Sequence, residues 1–337
     1  MTSRLAAIPG ITLVAGDALF TMQLIRYFDE RVVELYNQKL VRGSAHPYIG
    51  MEAIATGIIS ALGDQDLITS THRGHGHCLA RGLDPSRMLA EVLGRKSGYC
   101  RGKGGSMHIT AMEHGMLGAD GIVGGSHAIA VGAAYASRLQ GRDTVVACFF
   151  GDGAANEGSF HEACNLASVL DAPVVFVCEN NGWALSTRAS STMRIDDISI
   201  RAAGYGFPGV TVDGNDVHAV RAAADEAVAR ARSGAGPTLI EAKTHRMSAH
   251  SAFATGETST TEELAAWAER DPIEALVHRS LSTGELTDEA VAEIRVRARA
   301  AIEAATEHAV NDEQPDPETA FEDVYAPSTW TKEMRLA

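Results

Sequence analysis

The chain has 337 residues, 45% apolar and 21% charged, the balance of a globular protein with a large buried core. A net charge of −14 argues against a nucleic-acid surface, which needs clustered Lys and Arg. No 18-residue apolar window exists to span a membrane, and the N-terminus lacks a signal-peptide pattern. Cys78, Cys100, Cys148, Cys164 and Cys178 form no CxxC pair, so a reduced, cytoplasmic protein is expected.

In chain order, residues 17–40 read as an amphipathic helix with Leu24, Phe28, Val32 and Leu35 on one stripe. A helix over 51–62 and a strand at Leu67–Thr69 follow, and Asp84-Pro85 opens another helix. Gly94–Gly125 carries ten glycines in 32 residues, too many for a regular element. Such a run is either a flexible linker or a loop wrapped closely around a ligand. Next come a helix over 126–140, a strand at Thr144–Phe150, a helix at Glu157–Leu170 and a strand at Pro173–Cys178. Both strands are continuously apolar, as buried parallel strands are, and Cys148 and Cys178 read as inert packing within them. A helix over 215–233, a strand at Thr238–Ala242 and a long Ala/Glu/Arg helix over 286–310 continue the alternation. Glu303 to Asp323 holds eight acidic residues and no Lys or Arg, which reads first as a solvated tail and second as a partner contact. The whole is an α/β pattern, a doubly wound and mostly parallel sheet without internal repeats.

The segment Gly151–Asn181 is the most informative. It sets Asp152 just beyond one strand and Asn181 just beyond the next, 29 residues apart. In a strand–helix–strand unit both lie at the carboxyl edge of the sheet, where doubly wound folds bind ligands. A carboxylate and an amide oxygen suit Mg²⁺, which takes few protein ligands and fills its shell with phosphate oxygens. Gly153, Ala154 and Ala155 have little side chain, so backbone N–H groups there can approach a phosphate, with Asn156 as the expected helix cap. Alone, each turn is ordinary loop chemistry; the joint spacing points to a metal–diphosphate clamp.

GDG followed by about 26 residues and NN resembles the diphosphate–metal motif of thiamine-diphosphate enzymes. The chain from about Leu19 to Tyr325 resembles the alpha subunit of the decarboxylating component of 2-oxo acid dehydrogenase complexes, of pyruvate or acetoin type. His72-Arg73-Gly74-His75-Gly76, Arg101–His108 (RGKGGSMH) and Gly121-Ile122-Val123-Gly124 carry the likeness. The resemblance implies thiamine diphosphate and Mg²⁺, with Asp152, Asn181 and the Trp183 backbone carbonyl as metal ligands. It implies that Arg73 and His72 bind the diphosphate beside Gly153 and Ala154, and that Gly121 and Val123 hold the aminopyrimidine ring through their backbone. His46 and His250 match histidines that line the reaction centre. His72 stands where many members carry tyrosine.

The resemblance further implies one diphosphate-binding domain over residues 1–337, with an N-terminal tail at 1–16 and an acidic tail at 311–337. After Asn181 only 156 residues remain, too few to add a pyrimidine-binding domain to the continuing α/β pattern. A beta subunit is therefore expected to supply that domain and its activating glutamate, in an α2β2 heterotetramer. The implied reaction is oxidative decarboxylation of a 2-oxo acid, pyruvate foremost, or oxidative cleavage of acetoin, with acyl transfer to a lipoyl-bearing acyltransferase. The sequence departs from the family after His250, where SAFATGETSTTEEL lacks the usual Asp-Pro and Tyr-Arg. Gly256, flanked by Ser and Thr, suggests mobility there, and no phosphorylation is expected at Ser251. That departure keeps open a split-chain thiamine-diphosphate lyase or carboligase without a lipoyl partner. A branched-chain dehydrogenase alpha subunit and a non-catalytic scaffold are the remaining alternatives.

Overall fold

A computed structural model describes residues 13–252 and 259–322. The first helix, α1 (Ala15–Asn37), ends where Lys39 takes a left-handed φ of 61°. It is followed by α2 (Glu52–Ser60), β1 (Leu67–Thr69), α3 (His75–Ala80) and α4 (Pro85–Val92). Asp84 caps α4, accepting from the amides of Ser86 and Arg87 at 2.6 and 3.3 Å, with Pro85 in the first turn. Then come β2 (Met116–Gly118), α5 (Ser126–Leu139), β3 (Val146–Gly151), α6 (Gly158–Val169) and β4 (Val174–Asn180). A small hairpin of β5 (Trp183–Ala184) and β6 (Thr187–Arg188) leads through the one-turn α7 (Ala189–Thr192) to β7 (Gly209–Asp213). The last elements are α8 (Val217–Arg232), β8 (Thr238–Lys243), α9 (Thr261–Ala268), α10 (Pro272–Thr283) and α11 (Asp288–Asn311).

Six strands pair in parallel in the order β2-β1-β3-β4-β8-β7. Alternate residues of β3 and β4 fill two cores. Ala147, Phe149, Val175 and Val177 pack towards α1, α2, α4 and α8, whereas Val146, Cys148, Phe150, Val174, Phe176 and Cys178 pack towards α5 and α6. Burial of each phenylalanine here contributes ~2–3 kcal/mol from the hydrophobic effect. Strands covered on both faces must be apolar throughout, which is why β3 and β4 read as continuous runs. A parallel sheet ends all its strands on one edge, so β1, β3 and β4 deliver their following loops side by side.

Several sequence expectations are corrected. Asn156 does not cap α6. Residues Ala154–Asn156 form a 3₁₀ turn, Glu157 holds the cap position without a side-chain bond, and Asn156 Oδ1 accepts from Arg201 at 2.9 Å instead. The Gly94–Gly125 run is neither wholly irregular nor a linker. It contains β2 and a turn at Met112–His114, and its first half is wound on one carboxylate. The buried Glu91 accepts from the amides of Cys100, Gly102, Gly104 and Gly105 at 2.7–3.0 Å. Gly102 has φ +76°, and a Cβ there would lie 2.7 Å from the Gly94 carbonyl carbon.

Residues 312–322 are mostly exposed, as a solvated tail would be, whereas 303–311 are helical. Residues up to Asn311 belong to α11, and the following segment clasps the glycine loop. Lys96 pairs with Glu313 at 3.0 Å, Ser97 Oγ donates to Asp312 at 2.7 Å, and Arg101 pairs with Glu322 at 3.4 Å. The expected N-terminal tail overlaps α1 by two residues; residues 1–12 lie outside the described residues, as do the expected mobile stretch around Gly256 (253–258) and residues 323–337. All five cysteines are free and four are buried. Among the described residues no helix is long and apolar enough to cross a membrane.

Candidate active site

A cavity of about 360 Å³ opens at the carboxyl ends of β1, β3 and β4. Every site residue expected from the sequence lines it: His46, His72, Arg73, Gly121, Val123, Asp152, Gly153, Ala154, Asn181, Trp183 and His250. They come from six separate segments, brought together by the parallel strand order rather than by sequence proximity.

One wall is the clamp. Asp152 follows β3 and is 2% exposed; its Oδ2 has no hydrogen-bond partner. Burial is the largest influence on this carboxyl and pushes its pKa up to about 6, against the pull of Arg246 and backbone amides. Asn181 follows β4, its Oδ1 accepting from the Trp183 amide at 3.1 Å and its Nδ2 facing Met51 Sδ at 3.8 Å. The β5–β6 hairpin then turns Trp183 into the wall, with the Arg188 guanidinium 4.3 Å above its ring. An orphaned, buried carboxylate oxygen beside an amide oxygen is a donor set for a hard cation. A cation there would relieve the cost of burying that charge.

A second group of side chains at the cavity is cationic and imidazole-rich. Arg73 is 4% exposed and donates to the Pro47 carbonyl and to His250 Nδ1, both at 2.9 Å. Arg246 also reaches His250 Nδ1, at 3.3 Å. A guanidinium only donates, so Nδ1 of His250 accepts and its proton sits on Nε2. His46, His72 and His250 form a cluster with ring centroids 4.7–5.6 Å apart. Burial first, then the neighbouring arginines and histidines, lowers their pKa values to about 2, 3 and 4. All three are therefore neutral at pH 7. Their ring nitrogens approach one another within 4.8 Å, as metal ligands would. Two guanidiniums at the same histidine make the spot hostile to a cation and suited to an anion. His46 Nδ1 and His72 Nε2 are buried without partners, so the group holds unused donors or acceptors.

Three contributors escaped the sequence reading. Arg246 lies four residues before His250 and is 3% exposed. Met107 arrives from the glycine loop, and Glu179, inside the apolar run of β4, reaches the cavity as a buried carboxylate. A charge closing VVFVC was the available signal for Glu179. Ser251 is buried, its Oγ without a partner, and the next amide, Ala252, donates to Ala45.

The dehydrogenase E1 component family matches residues 20–318 of the chain. The chain belongs to this family. It is 50% identical over 244 residues to the alpha subunit of acetoin:2,6-dichlorophenolindophenol oxidoreductase of Bacillus subtilis, covering 72% of this chain and 73% of that one. The Cupriavidus necator protein of the same name is 43% identical, covering 90% and 92%. The alpha subunit of the pyruvate dehydrogenase E1 component of Rhizobium meliloti is 38% identical, covering 90% and 87%. The fold, the α/β class and the role of alpha subunit in a thiamine-diphosphate-dependent oxidoreductase all follow as read from the sequence.

For an E1 alpha subunit the two groups have complementary work. The thiamine cofactor, when bound, supplies the carbanion chemistry. Asp152 and Asn181 sit where they can hold a cation, and Arg73 where it can meet a phosphate with its remaining donors. The neutral imidazoles can take or give a proton beside a carbonyl, and the His250 Nε2–H is a fixed donor.

Proposed function

We propose that this alpha subunit holds thiamine diphosphate through Mg²⁺ bound by Asp152, Asn181 and the Trp183 carbonyl, with Arg73 and His72 on the diphosphate. Gly121 and Val123 hold the aminopyrimidine ring by their backbones, and His46 and His250 serve the reaction centre. The supporting observation is the unpartnered Asp152 Oδ2 in the same cavity as Asn181 and Arg73. The substrate is an acyloin, acetoin first, because the relatives of 50% and 43% identity carry that name. Pyruvate is the second reading, supported by the relative of 38% identity. The acyl product passes to a lipoyl-bearing acyltransferase.

The alpha-subunit names of the relatives support an assembly with a beta subunit, for which we propose an α2β2 arrangement in which that subunit brings the activating carboxylate. Exposed apolar side chains support a contact surface for that subunit. Ile122 and Val123, which line the cavity, are 73% and 52% exposed, and Ile129, Leu139, Leu166 and Val169 on α5 and α6 are also exposed apolar side chains.

Co-purification with a beta subunit, then reduction of 2,6-dichlorophenolindophenol with acetoin, pyruvate and branched 2-oxo acids, tests this. Cofactor- and Mg²⁺-dependent turnover of acetoin above pyruvate is expected. Turnover of pyruvate alone would overturn the substrate assignment, and absence of Mg²⁺-dependent cofactor binding would overturn the site.

A further inference from the structure

Beside the cavity, and reaching it at Ser70 and Glu179, runs a hydrogen-bonded frame that none of the roles above uses. His75 and His77, in the first turn of α3, point inward and are fully buried. His77 Nε2 lies 3.0 Å from Glu179 Oε1 and its Nδ1 2.7 Å from Ser70 Oγ. His75 Nδ1 lies 2.6 Å from Asp29 Oδ1 and its Nε2 2.9 Å from Ser106 Oγ. Tyr48 ties the two chains together. Its amide donates to Asp29 Oδ2 at 2.5 Å and its hydroxyl to Glu179 Oε1. The Tyr48 ring lies flat against Gly76, where a Cβ would come within 2.3 Å of Cδ1, so only glycine fits between the two histidines. An ionised carboxylate only accepts, so each imidazole carries its proton towards the acid and accepts a serine hydroxyl with its other nitrogen.

The loop between Ser70 and His75 carries His72 and Arg73, and both of its ends are thereby bolted to α1, β4 and the glycine loop. Arg73 bonds a carbonyl and an imidazole rather than a carboxylate. The negative charges favouring its protonated form are Asp29 and Glu179, each covered by an imidazole and by Tyr48. A carboxylate bonded directly to this guanidinium would compete with an incoming phosphate. Charge held one side chain away balances Arg73 without occupying its donors.

We propose that Tyr48, His75, His77, Asp29 and Glu179 are positioning residues for the diphosphate of the cofactor: they aim Arg73 and hold its counter-charge at a distance. The inference rests on the diphosphate reading of the cavity. It is tested in the assembled complex with Tyr48→Phe, which keeps the ring, and Glu179→Gln. The measurements are the calorimetric Kd of thiamine diphosphate with Mg²⁺, the cofactor KM, kcat at saturating cofactor, and the Tm of the cofactor-free complex.

Each variant is expected to raise Kd and KM about tenfold; for Tyr48→Phe, whose residue does not line the cavity, kcat at saturation is expected within about twofold of the wild type. Simple electrostatics predicts the opposite for Glu179→Gln, because deleting a negative charge beside an anion site tightens anion binding. Unchanged or tighter binding by both variants would therefore overturn the proposal, as would a fall confined to Tm and kcat. Should Glu179→Gln fail to assemble, Tyr48→Phe alone decides. Wild-type complex that binds no thiamine diphosphate would sink the diphosphate reading itself; wild-type binding with indifferent variants would sink only the frame.

Discussion

Arg73→Met separates what the site costs the fold from what it contributes to the cofactor. Burial, then repulsion from Arg246, lowers the Arg73 pKa from 12.5 to about 9, although Asp29 and Glu179 pull it back up. A base with a depressed folded pKa carries a penalty that is complete below that pKa and fades as pH rises above about 9. At pH 7 the penalty is therefore fully expressed, on the order of 5 kcal/mol at 1.36 kcal/mol per unit. Methionine fills a similar volume without charge, but the Pro47 carbonyl and His250 each lose a donor, at about 1 kcal/mol apiece. The balance is a cofactor-free complex more stable by ~3 kcal/mol. Cofactor affinity moves the other way: losing a charge-assisted bond to phosphate costs ~1.5–3 kcal/mol, or about 10- to 150-fold in Kd. Urea denaturation of chelator-stripped complexes and calorimetric titration with thiamine diphosphate measure both. A variant that is less stable without cofactor, yet binds it normally, would refute the reasoning.

Asp152→Asn should abolish Mg²⁺ dependence and weaken cofactor binding by ~100-fold or more, read by calorimetry with and without the metal. Glu91→Gln removes the charge that gathers four backbone amides, so a loss of ~3 kcal/mol is expected in denaturation, together with faster proteolysis near Gly102. His127 is fully buried against Phe150 and Phe160, and burial lowers its pKa to about 4. A depressed folded pKa gives stability that is present above 6.5 and lost as pH falls towards 4, on the order of 3 kcal/mol in all. His127→Leu should lose less stability than wild type between pH 7 and pH 4.5; parallel losses would show that His127 is not responsible.

How much was legible in the sequence depended on range. The β3–α6–β4 unit was readable because periodicity and length are local properties, and Asp152 and Asn181 took their positions from it. Boundaries moved by one to three residues, as helix ends do when caps decide them. Asn156 was misread because its carbonyl oxygen is taken by Arg201, 45 residues away. Asp29 meets His75 across 46 residues, and His77 meets Glu179 across 102. No local pattern distinguishes those inward histidines from His72, which sits in the same short run. The contacts of the exposed acidic segment after α11 are not readable locally, because Lys96, Ser97 and Arg101 lie more than 200 residues earlier.

That clasp has a practical consequence. The glycine loop it grips leads directly to Ser106 and Met107, which belong to the frame and to the cavity. A deletion cut back to Asn311 removes these contacts from a loop that ends at the cavity, and a loss of activity in it would be mistaken for a catalytic lesion. A purification handle placed past residue 322 leaves the contacts in place.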